Sequence, residues 1–443
     1  MIIRATFNNI LSFDEESQIS FVAGKGTLHP THVARAEKRD DISILKTGIV
    51  YGANASGKSN FIKAIWFLRL LALGKSPSHD MEVFKSAKSR RPVSKIELEI
   101  KVGNKYYAYG VEFNLQSIKE EWLFEINNRS DRRIFERKIN TDGNTFVFGK
   151  VEGDNEVSRF IEFLGEGTPT DKTFLSEYFN RNGKGLDDIK IVRDWFARTL
   201  KIIFPHTRFT GLSVRAEKDL DFHNATKELL NHFNTGITEI SKIPVNSKEE
   251  TGLPEDLLTQ IIKDGTPGEG VVLASSSGNE VFFFEFKEDG GYNIYKQQAV
   301  HGKGNEKRYF EMDEESDGTI RLLDFIPMLI DLKKNSVVYL IDELDRSMHP
   351  MMTYDIVKTF LNGISSDVDS QIIFSTHESH LLNMDLMRTD EIWFVEKDSM
   401  GASHFTSLAE YKPRADIKKG YLQGRYGAVP FFGCPISLSW HKI

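Results

Sequence analysis

The sequence is poor in cysteine, since Cys434 is the only one among 443 residues. An internal disulfide is therefore excluded, and so is a zinc site built on several cysteines. Long apolar runs are also lacking, because no segment approaches the roughly eighteen consecutive apolar residues that span a bilayer. The first residues do not have the charged and then apolar profile of a signal peptide. We expect a cytoplasmic protein with no membrane segment.

The chain also lacks an excess of positive charge. Its formal net charge is −7 and its pI is near 6.0, which argues against a protein that coats nucleic acid with its whole surface. The apolar fraction of 40% and the charged fraction of 27% are those of a soluble globular protein. A chain of 443 residues exceeds the size at which one hydrophobic core stops growing, so two lobes are expected.

One segment fixes the ligand class. Residues 52–59 read Gly-Ala-Asn-Ala-Ser-Gly-Lys-Ser and match the phosphate-binding pattern G-x-x-x-x-G-K-[ST] in full. In such a loop, backbone N–H groups surround the β-phosphate, the lysine reaches the β and γ oxygens, and the last hydroxyl binds Mg²⁺. We therefore predict ATP and Mg²⁺ as ligands, with Ser59 at the metal. The predicted nucleotide-binding residues are Gly52, Asn54, Ala55, Ser56, Gly57, Lys58, Ser59 and Asn60.

The context of this phosphate loop (residues 52–59) is that of a functional motif. The preceding segment, residues 44–51, has the β-branched and apolar character of a buried strand. The following segment, residues 60–71, places apolar residues at helical spacing. A helix that begins at the loop points its positive N-terminal dipole at the phosphates.

A second constellation lies near the C-terminus. Residues 337–343 form an apolar run that ends in Asp342 and Glu343, as in a central parallel strand that delivers a carboxylate to a metal. Asp342 would hold Mg²⁺ and Glu343 would act as the general base. Residues 371–377 form another apolar strand, which ends in His377. The alternatives are an acidic turn and a strand-end histidine, each without a catalytic role.

A second anion site is predicted upstream. Residues 315–319 read Glu-Ser-Asp-Gly-Thr and precede the amphipathic stretch 320–330. A Ser-x-Gly turn at a helix start presents backbone N–H groups to an anion. A plain helix N-cap at Ser316 is the alternative.

The order of these motifs resembles that of the ATP-binding-cassette (ABC) ATPases, and in particular the soluble SMC/RecF/OLD branch. Residues 9–13, Asn-Ile-Leu-Ser-Phe, have the N-x-x-S-F form of that branch, and residues 52–60 and 342–350 resemble the OLD-related ATPases of phage-defence operons. The ATPase subunits of two-gene anti-phage systems are the most similar, those of PARIS systems (AriA) more than those of Septu and retron systems (PtuA).

The resemblance implies roles for further residues. Ser316 and Gly318 would contact the γ-phosphate bound to the opposite protomer, Asp345 would make the D-loop contact, and His377 would be the switch. Two positions of the usual L-S-G-G-Q signature are altered here, and no glutamine is evident for the Q-loop. Two chains would then sandwich two nucleotides head to tail, so that the protein is its own partner, in a dimer or a higher oligomer.

The resemblance further implies an α/β fold: an ABC ATPase head with a mixed sheet lobe, an antiparallel β lobe and an insertion. Strand alternation in residues 92–148 predicts the antiparallel strands, and residues 271–311 return to a strand pattern. Residues 150–265 look mainly helical, including 189–204 and 225–243, without the heptads of an extended coiled coil. We predict 1–150 as the N-terminal part of the head, 151–270 as the helical insertion, and 271–443 as the C-terminal part.

Partners follow from the same resemblance. OLD nucleases carry a nuclease domain after the ATPase, and because about 65 residues follow His377 we expect none here. The first hypothesis is a slow ATPase that controls a separate effector, such as a nuclease or toxin, in response to a phage-protein trigger. The alternative is a RecF-like ATPase that binds duplex DNA. Three basic clusters, which lie in residues 85–95, 129–138 and 414–425, fit either phosphate contact or solvated loop faces.

Overall fold

The mixed sheet that the sequence predicts is formed mainly by short runs of β-branched and apolar residues. In the computed structural model, the described residues are 1–34, 42–77, 84–85, 93–140, 143–151, 155–209, 211–245, 249–266, 270–274, 280–363, 368–411, 413 and 416–429. They fold into two units. Unit 1 comprises Met1–Pro205, Asn335–Leu344 and Leu361–Ile443, and unit 2 comprises His206–Lys334 and Asp345–Phe360.

Unit 1 holds two large sheets. The first is a seven-stranded antiparallel sheet in the order β10-β9-β8-β7-β6-β1-β2. Its strands are β1 (Ile2–Asn8), β2 (Ser17–Ser20), β6 (Ser94–Val102), β7 (Lys105–Phe113), β8 (Ile118–Glu125), β9 (Arg132–Asn140) and β10 (Gly143–Phe148). A two-stranded ribbon pairs β3 (Val33–Ala34) with β4 (Ile44–Leu45). The antiparallel lobe expected from residues 92–148 is confirmed.

The second sheet contains the strands that lead into the predicted nucleotide-binding and metal-binding residues. It has the order β11-β17-β18-β5-β19-β20 and is parallel except at its last pair. Its strands are β5 (Thr47–Tyr51), β11 (Leu200–Ile203), β17 (Val338–Ile341), β18 (Gln371–Ser375), β19 (Ile392–Lys397) and β20 (Ser403–Ser407). The helices of unit 1 are α1 (Lys58–Ala72), α2 (Asn155–Gly167), α3 (Phe174–Asn180), α4 (Asp187–Asp194) and α10 (Ile417–Leu422).

Unit 2 combines helices with a five-stranded antiparallel sheet. The strands follow the order β12-β15-β14-β13, and β16 also pairs with β15. They are β12 (Ile237–Pro244), β13 (Gly270–Ala274), β14 (Val281–Phe286), β15 (Tyr292–His301) and β16 (Arg308–Glu311). The helices are α5 (Leu212–Lys218), α6 (Leu220–His232), α7 (Glu255–Asp264), α8 (Asp317–Lys334) and α9 (Pro350–Asn362), of which the last two residues belong to unit 1.

The α/β fold class is confirmed. Residues 151–270 are mainly helical, because their described part contains six α-helices and two strands, and β13 begins only at Gly270. This segment begins in unit 1 and ends in unit 2. Two of its predicted helices are wrong only in their C-terminal parts. The helix expected over 189–204 ends at Asp194, followed by one π-helical turn and then β11. Four apolar-rich residues fit a strand as well as a helix, and pairing with β17 decides the outcome.

The second of these helices, expected over 225–243, ends at His232. Gly236 adopts a left-handed φ of +80°, and β12 begins at the next residue. Ile237 and Ile240 are both buried although they are three residues apart. A bulge between Ile237 and Glu239 in the pairing with β15 shifts the alternation and so imitates helical spacing.

β19 (Ile392–Lys397) is the last parallel strand of the second sheet. β20 follows and pairs with it antiparallel at the sheet edge. Among the described residues, no helix combines the length and the apolar character that a membrane span requires.

Candidate functional site

The phosphate loop connects β5 to α1, as the sequence predicts. Ala55 and Gly57 have left-handed φ angles of +64° and +115°. A Cβ atom on Gly57 would lie 2.3 Å from Ser403 Oγ, so only glycine fits at this position. Gly52 is equally confined, because a Cβ there would lie 2.3 Å from Ser56 Oγ. Neighbouring atoms therefore leave no room for a larger residue at Gly52 or Gly57.

Lys58 is the first residue of α1 and is only 5% exposed. Its Nζ donates hydrogen bonds to the carbonyl oxygens of Gly52 (2.7 Å) and Ala53 (3.1 Å), at the start of the same loop. A buried ammonium at a helix N-terminus, held against the loop, is an arrangement suited to phosphate oxygens.

Two hydroxyl groups meet at Asp342, which is 3% exposed and follows β17 directly. Ser59 Oγ donates to Asp342 Oδ1 at 3.0 Å, and Ser375 Oγ donates to the same oxygen at 2.7 Å. Hydroxyl and carboxylate oxygens are the hard ligands that Mg²⁺ prefers. The residues present therefore fit a Mg²⁺ ion shared with nucleotide phosphates.

Ser375 was missed by sequence reasoning. It ends β18, and its hydroxyl also accepts a hydrogen bond from the backbone N–H of Glu343 at 2.8 Å. The signal was available, because Ile341 pairs with Phe374 in the parallel register. The next residue of each strand, Asp342 and Ser375, must then emerge side by side.

Glu343 is half-buried and has a left-handed φ of +51°, which is uncommon for a residue other than glycine. Such a conformation costs about 1–3 kcal/mol and persists where the surrounding contacts enforce it. Here the hydrogen bond to Ser375 fixes the backbone of Glu343. The backbone of Glu343 is thus held in a turn directly after Asp342.

His377 is exposed and lies two residues after the end of β18. The structure therefore brings the phosphate loop, Asp342, Glu343 and His377 to the carboxyl ends of three adjacent strands, β17, β18 and β5. Ligands of open α/β sheets bind at that edge.

The remaining predicted residues belong to unit 2. Ser316 caps α8, because its hydroxyl accepts the N–H of Thr319 at 3.1 Å. A Cβ on Gly318 would lie 2.7 Å from the carbonyl oxygen of Ser347, and the carbonyl of Asp345 accepts the N–H of Met348 at 3.1 Å. Unit 2 thus packs the turn at Ser316 and Gly318 against the turn that follows Asp345.

A pair of serines supports the phosphate loop. Ser403 on β20 donates a hydrogen bond from its hydroxyl to the carbonyl oxygen of Ser56 at 2.6 Å. The hydroxyl of Ser12 lies 2.8 Å from that of Ser403, and the Ser12 carbonyl accepts the Ser403 N–H at 2.7 Å. This contact gives a physical reason for the serine of the N-x-x-S-F segment. Ser403 carried no sequence signal of its own.

We expect Ser403→Ala to weaken nucleotide binding about three- to tenfold while turnover at saturating ATP is retained. The loss corresponds to one buried hydrogen bond, about 0.5–1.5 kcal/mol. Titration with a fluorescent ATP analogue measures it. Ser407→Ala, a buried serine on the same strand whose hydroxyl accepts the N–H of Ala409, is the control. Equal affinities of the two variants would contradict the supporting role of Ser403.

The basic cluster of residues 129–138 is largely paired with carboxylates. Arg132 contacts both Glu125 and Asp188, at 2.6 and 2.7 Å. Further ion pairs join Arg133 to Glu136 and Lys138 to Glu120, and Arg137 is buried. Burial opposes ionisation of Asp188, but hydrogen bonds from Lys105, Tyr107 and Arg132 lower its pKa to about 2. In the other two clusters, Lys88, Arg90, Arg91 and Arg414 lie outside the described residues.

The solved structures that resemble this chain include three SMC heads, each at 14% sequence identity. The SMC head domain from Thermotoga maritima has a TM-score of 0.39 over 92% of this chain and 98% of its own. An Smc head bound to the C-winged helix domain of ScpA has 0.43 over 93% and 99%. An Smc head with an extended coiled coil, bound to the C-terminal domain of ScpA derived from Pyrococcus furiosus, has 0.37 over 96% and 99%. No curated protein sequence matches the chain.

One family model matches more than half of the chain, over residues 49–163 and 211–383. The matched ranges contain the phosphate loop, Asp342, Glu343 and His377, and also Ser316, Gly318 and Asp345. The model is described as "AAA domain, putative AbiEii toxin, Type IV TA system". The chain belongs to this AAA family.

Proposed function

We propose that the protein binds and hydrolyses ATP at the strand ends of unit 1. One observation supports this more than any other: the phosphate-loop hydroxyl of Ser59 and the Ser375 hydroxyl converge on a single oxygen of buried Asp342. A nucleotide site needs a metal-binding carboxylate beside the phosphate loop, and this contact supplies it.

Each residue has a proposed task. Backbone N–H groups of residues 52–60 and the Lys58 ammonium bind the phosphates, and Ser59 and Asp342 hold the Mg²⁺ ion. That ion, when bound, neutralises charge on the phosphate oxygens. Glu343 accepts a proton from the attacking water, and its fixed backbone orients the carboxylate for this step. His377 contacts the γ-phosphate or the water.

We further propose that a second copy of the chain completes the site. The residues assigned to act across a dimer, Ser316, Gly318 and Asp345, are grouped in unit 2, whereas those assigned to act within one chain lie in unit 1. The exposed N-cap at Ser316 leaves the start of α8 accessible to an anion from outside the chain. ATP would therefore join two protomers head to tail, and hydrolysis would release them.

The output is proposed to be the control of a separate effector, a nuclease or toxin, in defence against phages. The family description, which names a toxin and a toxin–antitoxin system, supports a role in a two-gene system of this kind. The similarity of the motifs to the ATPase subunits of PARIS systems points the same way. ATP-dependent closure would change the surface offered to the effector, and a phage protein would be the trigger.

Phosphate release by the purified protein, with Mg²⁺ and with EDTA, tests the enzymatic part of the proposal. Co-purification of a tagged chain with the product of a neighbouring reading frame, with and without ATP, tests the regulatory part. ATP-dependent capture of a nuclease or toxin supports control of an effector. Salt-sensitive binding of duplex DNA by the chain alone would instead favour a DNA-maintenance ATPase. The carboxylate pairing of the cluster at 129–138 makes this second outcome the less expected one.

A further inference from the structure

Tyr51 is the last residue of β5 and directly precedes the phosphate loop. Its side chain is fully buried, and its ring lies against those of Tyr421 and Phe394, at centroid distances of 5.7 and 6.2 Å. The hydroxyl crosses to the neighbouring strand end and donates a hydrogen bond to the carbonyl oxygen of Glu378 at 3.1 Å. Glu378 is the residue after His377.

The residues on both sides of His377 are thereby tied to the last two residues of β5. Thr376, which precedes the histidine, donates its N–H to the carbonyl oxygen of Val50 at 3.2 Å. The Thr376 hydroxyl accepts the N–H of Glu378 at 2.9 Å, which closes the turn around His377. Tyr51 supplies the second tie. The backbone around His377 is therefore held by Val50 and Tyr51, the two residues that directly precede the phosphate loop.

The aromatic surroundings keep the Tyr51 ring in place. Phe394 on β19 is stacked with Tyr421 at an interplanar angle of 13° and with Tyr426 at 11°. A ring buried in such a cluster loses little further entropy when its hydroxyl forms a hydrogen bond. Tyr51 therefore links the phosphate loop to the exposed turn of His377 through a ring that its neighbours hold in place.

We propose that Tyr51 is a positioning residue that sets the distance between His377 and a phosphate bound in the loop. The inference rests on the proposed function, in which His377 acts on the γ-phosphate or the attacking water. Such a contact requires hydrogen-bond distance, and a displacement of about 1 Å can reduce the rate substantially. Tyr51 itself touches neither nucleotide nor water in this role.

The test is Tyr51→Phe, which removes one oxygen and keeps the buried ring. We expect kcat to fall about five- to tenfold, as for the loss of one hydrogen bond, with less than about a twofold change in the Kd for an ATP analogue. Tyr421→Phe is the matched control. It removes a hydroxyl from the same aromatic cluster, where the bond goes to the carbonyl of Ala428 at 3.2 Å, and it should leave kcat unchanged. Thermal unfolding of both variants checks the fold.

Tyr51→Phe in a His377→Ala background distinguishes an effect that acts through His377 from a general loss of activity. If Tyr51 acts through His377, Tyr51→Phe has no further effect there. A wild-type kcat in Tyr51→Phe, an equal loss in Tyr421→Phe, or a full additional loss in the His377→Ala background would each overturn the inference. Absence of phosphate release by the wild-type protein would instead refute the proposed function, and the inference with it.

Discussion

Lys58→Ala is expected to weaken ATP binding at least about 100-fold and to abolish turnover. The Lys58 ammonium is buried at the start of α1 and held by the carbonyls of Gly52 and Ala53, so it is already in place for the phosphate oxygens. Two charge-assisted hydrogen bonds of about 1.5 kcal/mol each correspond to this loss. Isothermal titration with ATP and Mg²⁺ measures the affinity.

Lys63→Ala provides the control for Lys58→Ala. Lys63 lies on the exposed side of the same helix, so that its replacement removes an equal charge without touching the loop. Circular dichroism of both variants checks that the helical content of the protein is retained. Wild-type ATP affinity in a folded Lys58→Ala protein would show that residues 52–59 do not bind the phosphates.

Glu343→Gln is expected to lower turnover at least about 100-fold while ATP binding is retained. The amide keeps the shape of the side chain but cannot accept a proton from water, and general-base catalysis contributes about 10² to 10⁴ in rate. Because hydrolysis no longer opens the ATP-bound dimer, the closed dimer should accumulate when ATP is present. Phosphate release gives the rate, and light scattering with and without ATP gives the mass.

Glu162→Gln, an exposed carboxylate on α2, is the control for Glu343→Gln and should behave as wild type in both measurements. Unchanged turnover in Glu343→Gln would remove Glu343 from the role of base. Lost turnover with a monomeric mass in ATP would keep the base and contradict the dimer.

The parts of the site that local sequence determines could be predicted. A glycine-rich turn between a buried strand and a helix has one outcome at Gly52 and Gly57, because any larger residue would collide there. The acids after β17 were also predictable, since a continuous apolar run ends where the strand leaves the core. Such features need no knowledge of distant residues.

The missed features depend on pairing between distant segments. Ser375 meets Asp342 only because β17 and β18 are adjacent and parallel, and Ser403 meets Ser56 only because β20 closes the sheet edge. The helices predicted through β11 and β12 failed for the same reason. Short apolar segments fit both structures, and strand partners about 60 to 140 residues away decide between them.

In the proposed dimer, one chain contributes the phosphate loop and Glu343 while a second contributes Ser316 to the same nucleotide. Mixing two inactive variants tests this arrangement most directly. Lys58→Ala lacks the loop function, and Ser316→Glu places a negative charge where the γ-phosphate of the partner would lie. The variant loses the N-cap hydroxyl of Ser316, but a negative charge is favourable at the start of a helix, and circular dichroism checks that the helical content is retained.

Phosphate release is the readout, with each variant alone and with both at equal concentration. We predict that each alone is inactive and that the mixture recovers about a quarter of the wild-type rate, because half of the randomly formed dimers carry one intact site of two. A mixture that stays inactive, or wild-type turnover by Ser316→Glu alone, would contradict a site shared between two chains.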